Sequence, residues 1–198
     1  MARMNHIIDT IRKIIKNIVT AVDFRVKGYL AEYDDNGKTI HFKDRDGNDW
    51  RYEYDENGKL IHTTESKGSE HWYEYNSLGS MIHRKDSNGN EHWYNGNENT
   101  VHAKFSDGEE CWYDADGNRI HKKCPKGYEA WFNTDGKLIH YKNSDGSEHW
   151  YEYADNGLLI HANDSDGTEW WYEYDANGNM VHVKDSDWYE RWYNCYTM

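Results

Sequence analysis

The sequence has little of what most folds lean on. Proline occurs once in 198 residues, so other residues must make the turns. Cysteine occurs three times, too few for an even disulfide framework. Cys111, Cys124 and Cys195 lack a distinctive local motif and read as reduced, inert thiols of a cytosolic protein. No apolar run reaches the roughly 18–20 residues that a bilayer-spanning helix needs. Hydrophobic residues make up only 36% of the chain, a share that alone points toward weak folding. Positive charge is short as well. The 23 Lys and Arg stand against 36 Asp and Glu, a net of −13 that disfavours binding a phosphate backbone with the whole surface.

What the chain has instead is rings. Ten Trp, 17 Tyr and 4 Phe make 16% of it, and each ring buries a large area. Sixteen Gly, with abundant Asn and Asp, supply the turns that proline does not.

The first 27 residues differ from the rest. Six basic side chains against Asp9 and Asp23 give a net of +4, which leaves −17 for residues 28–198. Ile7, Ile8, Ile11, Ile14, Ile15, Ile18 and Val22 recur at helical spacing behind a capping Asn5, which predicts an N-terminal amphipathic α-helix over residues 1–27. Arg12, Lys13, Lys16 and Asn17 interrupt the apolar centre that a secretory signal requires, and the expected location is cytoplasmic, in a bacterial cell or a phage-infected host. Docking of the stripe onto the oppositely charged remainder is the expected role. A partner-binding helix and a membrane-surface helix are the alternatives.

Residues 28–198 read as one hairpin written eight times. An Ile-His or Val-His pair recurs with its histidines at 41, 62, 83, 102, 121, 140, 161 and 182, spaced by 21 or 19 residues. After each comes a Gly-containing turn and then an acidic residue: Asp49, Glu70, Glu91, Glu110, Glu129, Glu148, Glu169 or Glu190. A Trp follows at 72, 93, 112, 131, 150, 171 and 192, with Arg51 in the first repeat, and then Tyr or Phe and a second turn. Asp-Gly and Asn-Gly turns flanking runs of about five aromatic and β-branched residues predict two strands per repeat. Two-residue turns would pair His41 with Tyr52 and Lys43 with Trp50, placing the Ile, Trp and acidic columns on one face and the His, Lys and Tyr columns on the other. The shorter repeats lack two residues where the longer ones read Tyr-Glu-Tyr-Asp. A β register tolerates a loss of two and not of one, because one residue flips every later side chain. The predicted fold class is mainly β: an antiparallel β-hairpin repeat array of about sixteen strands, a coiled open sheet or β-solenoid-like, behind the helix.

Tyr-Asp-x-x-Gly at Tyr33-Asp34 with Gly37, Tyr54-Asp55 with Gly58, Tyr113-Asp114 with Gly117 and Tyr174-Asp175 with Gly178 resembles the tyrosine–aspartate (YD, or RHS) repeats of bacterial toxin and teneurin-like shells. That resemblance covers roughly residues 28–198 and implies a long antiparallel sheet that coils as it grows. Eight hairpins are fewer than that family uses to enclose a cargo, and the abundance of Trp and His departs from it. Trp112-Tyr113-Asp114-Ala115-Asp116-Gly117 is also similar to aromatic cell-wall-binding repeats.

The columns restrict chemistry. Like positions lie two strands apart, about 9.6 Å, so two neighbours of one His column do not share a zinc ion bonded at about 2.0–2.1 Å. Asp164-Ser165-Asp166-Gly167 echoes a calcium loop, but position 162 is alanine and turn chemistry explains these residues. Eight near-identical carboxylate environments do not separate the two pKa values that acid–base catalysis needs. No phosphate loop or nucleophile elbow is present. The expectation is a protein that is not an enzyme and needs no cofactor and no metal.

The expected function is protein binding through an acidic, aromatic face that engages a basic partner by charge. The partner-binding candidates are Asp49, Glu70, Glu91, Glu110, Glu129, Glu148, Glu169 and Glu190 with Trp72, Trp93, Trp112, Trp131, Trp150 and Trp171. One version is a phage-type, anti-CRISPR-like mimic of nucleic acid occupying a nuclease channel, without direct contact to nucleic acid or membrane. Alternatives are a carbohydrate or cell-surface binder, and a structural fragment of a larger RHS-type toxin shell. Edge strands make a homodimer possible.

Overall fold

The computed structural model describes residues 28–193. The predicted N-terminal helix lies outside the described residues. Those described are mainly β, as expected, with seventeen strands and no helix among them. The ladders described join strands consecutive in the chain and are antiparallel.

The described residues fall into two compact units, divided between Glu91 and His92. Strands β1 (Leu30–Tyr33), β2 (Thr39–Lys43), β3 (Asp49–Tyr54), β4 (Leu60–Glu65), β5 (Glu70–Tyr75) and β6 (Met81–Asp86) lie in the first, and β7 (Glu91–Tyr94) begins at its end. The second holds β8 (Thr100–Lys104), β9 (Glu110–Tyr113), β10 (Arg119–Lys123), β11 (Glu129–Phe132), β12 (Leu138–Lys142) and β13 (Glu148–Tyr153). It continues through β14 (Leu159–Asp164), β15 (Glu169–Tyr174), β16 (Met180–Asp185) and β17 (Glu190–Trp192). The seventeenth strand is β1, half a repeat placed ahead of the first His strand.

The turns are longer than two residues, and this corrects the pairing. Asp44 N–H donates to the Asn48 carbonyl and Gly47 N–H to the Asp44 carbonyl, at 3.0 and 3.4 Å. Gly47 sits at φ 87° and the Asp before it is not in the left-handed region. This is a type I turn closed by a glycine bulge, the usual three-residue hairpin connection. Partners move by one residue: His41 faces Arg51, Phe42 faces Trp50 and Lys43 faces Asp49. A one-residue move exchanges faces. The His and Lys columns therefore share a face with the Trp and acidic columns, and the Tyr column lies on the other.

The Ile column takes a third place. Between β3 and β4, Glu53 pairs with His62 and Tyr54 with Leu60, so Ile61 is the extra residue of a β-bulge. The same slip skips Ile82, Ile120, Ile139, Ile160 and Val181.

The other end of the hairpin is capped by the Asp or Asn of the Tyr-Asp-x-x-Gly signature, except after β13, where that position is Ala154 and Asn156 accepts the N–H of Leu158 at 3.1 Å instead. The Asp34 carboxylate accepts the N–H groups of Asn36 and Lys38 at 2.9 and 2.8 Å, and Asp55 holds Asn57 and Lys59 likewise. Burial is modest. The buried side chains are small and lie on the Tyr face (Thr63, Ala103, Cys111, Ala130, Ala162 and Val183), except His182, which is buried on the face of the Trp column.

Candidate functional site

The acidic column is built into the hairpin. In every repeat the column histidine stands eight residues before the acidic residue, across the turn and one rung along. The histidine Nε2–H donates to that carboxylate at 2.9–3.2 Å in all eight pairs: His41–Asp49, His62–Glu70, His83–Glu91, His102–Glu110, His121–Glu129, His140–Glu148, His161–Glu169 and His182–Glu190. A carboxylate only accepts, so a ring proton stands on Nε2. At Glu148 this bond, joined by Lys142 at 3.4 Å, holds the carboxyl below its ordinary range. Lys85 and Lys123 likewise reach Glu91 and Glu129, at 3.5 and 3.8 Å.

The Trp column completes the arrangement, because a hairpin in this register puts His directly opposite Trp. Trp72 lies on His62 at 5.1 Å, Trp171 on His161 at 5.3 Å and Trp192 on His182 at 3.8 Å between ring centres. In the 19-residue repeats the strand on the far side also brings its His level with Trp. Trp93, His102, Trp112, His121, Trp131, His140 and Trp150 then form one stack of seven rings, with centres 4.3–5.0 Å apart. In the 21-residue repeats the two added residues place Glu53, Glu74, Glu152 or Glu173 opposite His instead, with carboxylates 3.3–3.6 Å from the second ring nitrogen. Lys184 covers the outer face of Trp171 at 5.1 Å.

Within each unit the structure thus places the expected partner-binding residues on the His face, where the column histidines already engage them. Trp112 and Trp131 carry an imidazole on each face. Composition and column-by-column reading miss the His–carboxylate contact, yet its signal is in the sequence: the offset of eight residues is constant across all eight repeats.

Two further sets of contacts repeat at the turns. Tyr54, Tyr75, Tyr153 and Tyr174 hydroxyls donate to the carbonyls of Thr39, Leu60, Leu138 and Leu159 at 2.8–2.9 Å. Burial raises the pKa of each of these tyrosines, and that of Tyr52, Tyr113, Tyr151 and Tyr172. Lys59 and Lys137 lie over the rings of Tyr75 and Tyr153 and donate to the carbonyls of Gly79 and Gly157, one turn further along the array, at 2.8 and 2.6 Å. Lys38 meets Gly58 in the same way. In the opposite turns, Ser87, Ser165 and Ser186 accept the N–H of Glu70, Glu148 and Glu169 and return their own.

Among the described residues no group of His, Cys, Asp and Glu is placed to hold a metal ion. Cys111 is buried and burial raises its pKa, the opposite of thiol activation. Cys111 and Cys124 lie 3.7 and 3.8 Å from the carboxylate of Glu109, which binds Lys122 at 2.6 Å. The clefts between turns are shallow and polar. That lined by Asp34, Lys38, Tyr52, Glu53, Tyr54 and Gly58 holds about 350 Å³.

Among curated proteins none matches the sequence. Among solved structures, the crystal structure of TcdB2-TccC3-Cdc42 is 16% identical at a TM-score of 0.34, with 80% of this chain and 9% of that one covered. The Photorhabdus luminescens Tc holotoxin pore gives 16% identity and 0.34, over 82% and 9%. The G-box domain of the microcephaly protein CPAP gives 20% and 0.44, over 83% and 97%. The chain spans about 9% of the length of the toxin chains it matches. The family model of the RHS Repeat matches residues 33–70 and 153–187. Those two segments are RHS repeats, the family that the Tyr-Asp-x-x-Gly turns point to, and the hairpins between them carry the same columns.

Proposed function

We propose that this chain is a non-catalytic scaffold, a run of RHS-type hairpins whose work is to form a stiff wall segment. One observation carries the reading: all eight column carboxylates are held by histidines of the same hairpins, at 2.9–3.2 Å. A polar network satisfied in this way fixes strand register instead of waiting for a ligand. Sugar stacking needs open ring faces, and in the seven-ring stack imidazoles lie on them.

Replacing His121 with Ala removes one hydrogen bond and two ring contacts and should lower stability by roughly 1–3 kcal/mol. Glu129→Gln should lower it less, and in the same direction, by denaturant titration. If both variants leave stability unchanged, the column is not structural and the wall reading falls.

A second reading has its own support. Glu53 and Glu74 in the first unit, and Glu152 and Glu173 in the second, are 60–69% exposed opposite the column histidines, in a strongly acidic chain. Each pair suits a basic protein surface. Replacing the four by Gln should abolish salt-sensitive capture of such a partner while leaving the His–Trp face intact.

A further inference from the structure

The hairpin of β16 and β17 differs from the other described hairpins in what it leaves open. Among the described residues β17 hydrogen-bonds on one side only, to β16. Trp192 is 64% exposed, with His182 on one ring face, and Tyr193 is 37% exposed. Trp188 and Tyr189, at 95% and 53%, widen the aromatic patch. Trp188 also holds φ 70° at the turn position that is glycine in every other turn of its set, from Gly47 to Gly167. A bulky residue in the left-handed region is strained, and such strain collects at binding sites.

The interior of the array shows what chemistry fits this edge. Strand β15 is the equivalent of β17, one repeat earlier, and β16 covers it. There Val183 lies opposite Tyr172, Lys184 opposite Trp171 with its ammonium over the indole, and Asp185 opposite position 170. Ser186 then exchanges hydrogen bonds with the backbone of Glu169. Moved along by one repeat, a covering strand would set Val on Tyr193, Lys over the free face of Trp192 and Asp opposite residue 191. Its Ser would bond the backbone of Glu190. Position 191 is arginine, its guanidinium 4.7 Å over the Tyr193 ring, so the Asp of the incoming strand meets an opposite charge beside that ring where β15 offers it only Trp170. Cation over indole, carboxylate beside guanidinium and a free strand edge all call for the same sequence.

We propose that the outer edge of β17 docks an extended peptide strand of the Val-Lys-Asp-Ser type, donated by another polypeptide and added antiparallel. The second copy of this chain is the poorer occupant, because its strands of this type lie inside hairpins and are paired on both sides. The proposal stands whether or not the array serves as a wall.

The test uses the full chain and a synthetic octapeptide copying residues Asn179 to Ser186, followed by tryptophan fluorescence and calorimetry. Saturable one-to-one binding is expected. Trp192→Ala should weaken it about tenfold, as should a peptide with Glu in place of its Lys. Arg191→Glu should weaken it too, and a peptide with Lys in place of its Asp should restore binding to that variant. Circular dichroism of both variants verifies that the exposed substitutions leave the sheet intact. No saturable binding by about 2 mM peptide overturns the proposal, as does binding indifferent to both variants. So does a self-association that Trp192→Ala abolishes, which would make a second copy the occupant.

Discussion

At the scale of single residues, two side chains hold backbone conformations that their neighbours give to glycine. Glu98 sits at φ 64° and Trp188 at φ 70°, each at the fourth position of its turn. The left-handed conformation costs an L-residue about 1–2 kcal/mol. Glycine avoids that cost and loses part of the gain to chain entropy in the unfolded state. Glu98→Gly should therefore stabilise the chain by about 0.5–1 kcal/mol, read as a higher denaturant midpoint. Equal or lower stability would show that this turn is unstrained. In Asn95-Gly96-Asn97-Glu98-Asn99 the glycine has moved two positions forward, and Asn95 still caps the N–H groups of Asn97 and Asn99 at 2.9 and 3.1 Å.

At the scale of the element, repeat length decides what the histidine meets. Four-residue strands such as β9 and β11 carry the ring stack straight through, whereas six-residue strands such as β13 and β15 interpose a glutamate. Inserting Glu-Tyr between Tyr113 and Asp114 should turn a short repeat into a long one. The fold should survive, with the Trp112–His121 contact replaced by a new carboxylate–His121 contact, visible as a changed indole emission. Inserting one residue at the same place should cost several times as much stability, because it throws the later side chains of that strand to the wrong face. Equal effects from one and two residues would contradict the register argument.

The strands, their number to within one, the likeness of two segments to RHS repeats and the even-step rule were legible in the sequence, because they depend on period and turn residues. The face assignment was not. Asp46-Gly47 is compatible with both a two-residue and a three-residue turn, and the choice flips a strand. Hydrogen-bond geometry around Asp44 and Asn48 makes it. The bulge at Ile61 was hidden for the same reason, since an unpaired Ile and a paired one look alike in a pattern of letters. The His–carboxylate contacts were hidden only by attention to columns, and the constant offset of eight would have revealed them.

At the scale of the whole molecule, ionisation bounds the pH range in which the chain holds together. Asp44 and Asp114 are held below their ordinary range, chiefly by the side-chain amides of Asn48 and Asn118. Asp145 and Asp166 are lowered mainly by the backbone N–H groups of Ser147 and Thr168. At Asp86 burial acts the other way, and the hydrogen bonds from Asn90 and Asn88 outweigh it. A group depressed in the folded state adds stability that is present above its unfolded pKa and is lost as pH falls, so weakening should begin below about pH 4. The half-buried tyrosines are raised. Their contribution is complete below about pH 10 and is lost as pH rises beyond it. Tyrosinate absorbance should therefore appear together with loss of the β signal, later than in free tyrosine. Titration at the ordinary value with the sheet intact would sink this expectation.

The hook from each turn to the next has a mechanical side. Lys59 and Lys137 fasten their own turns to those that follow, and Tyr75 and Tyr153 grip the preceding strand. Every long repeat so fastened brings its own latch and relies on little beyond the adjoining hairpin. Drawn apart by its two termini, such a polymer gives way at whichever rim is loosest and sheds one loop of chain per rupture. Damage at one latch stays where it falls, as in a row of stitches tied off singly.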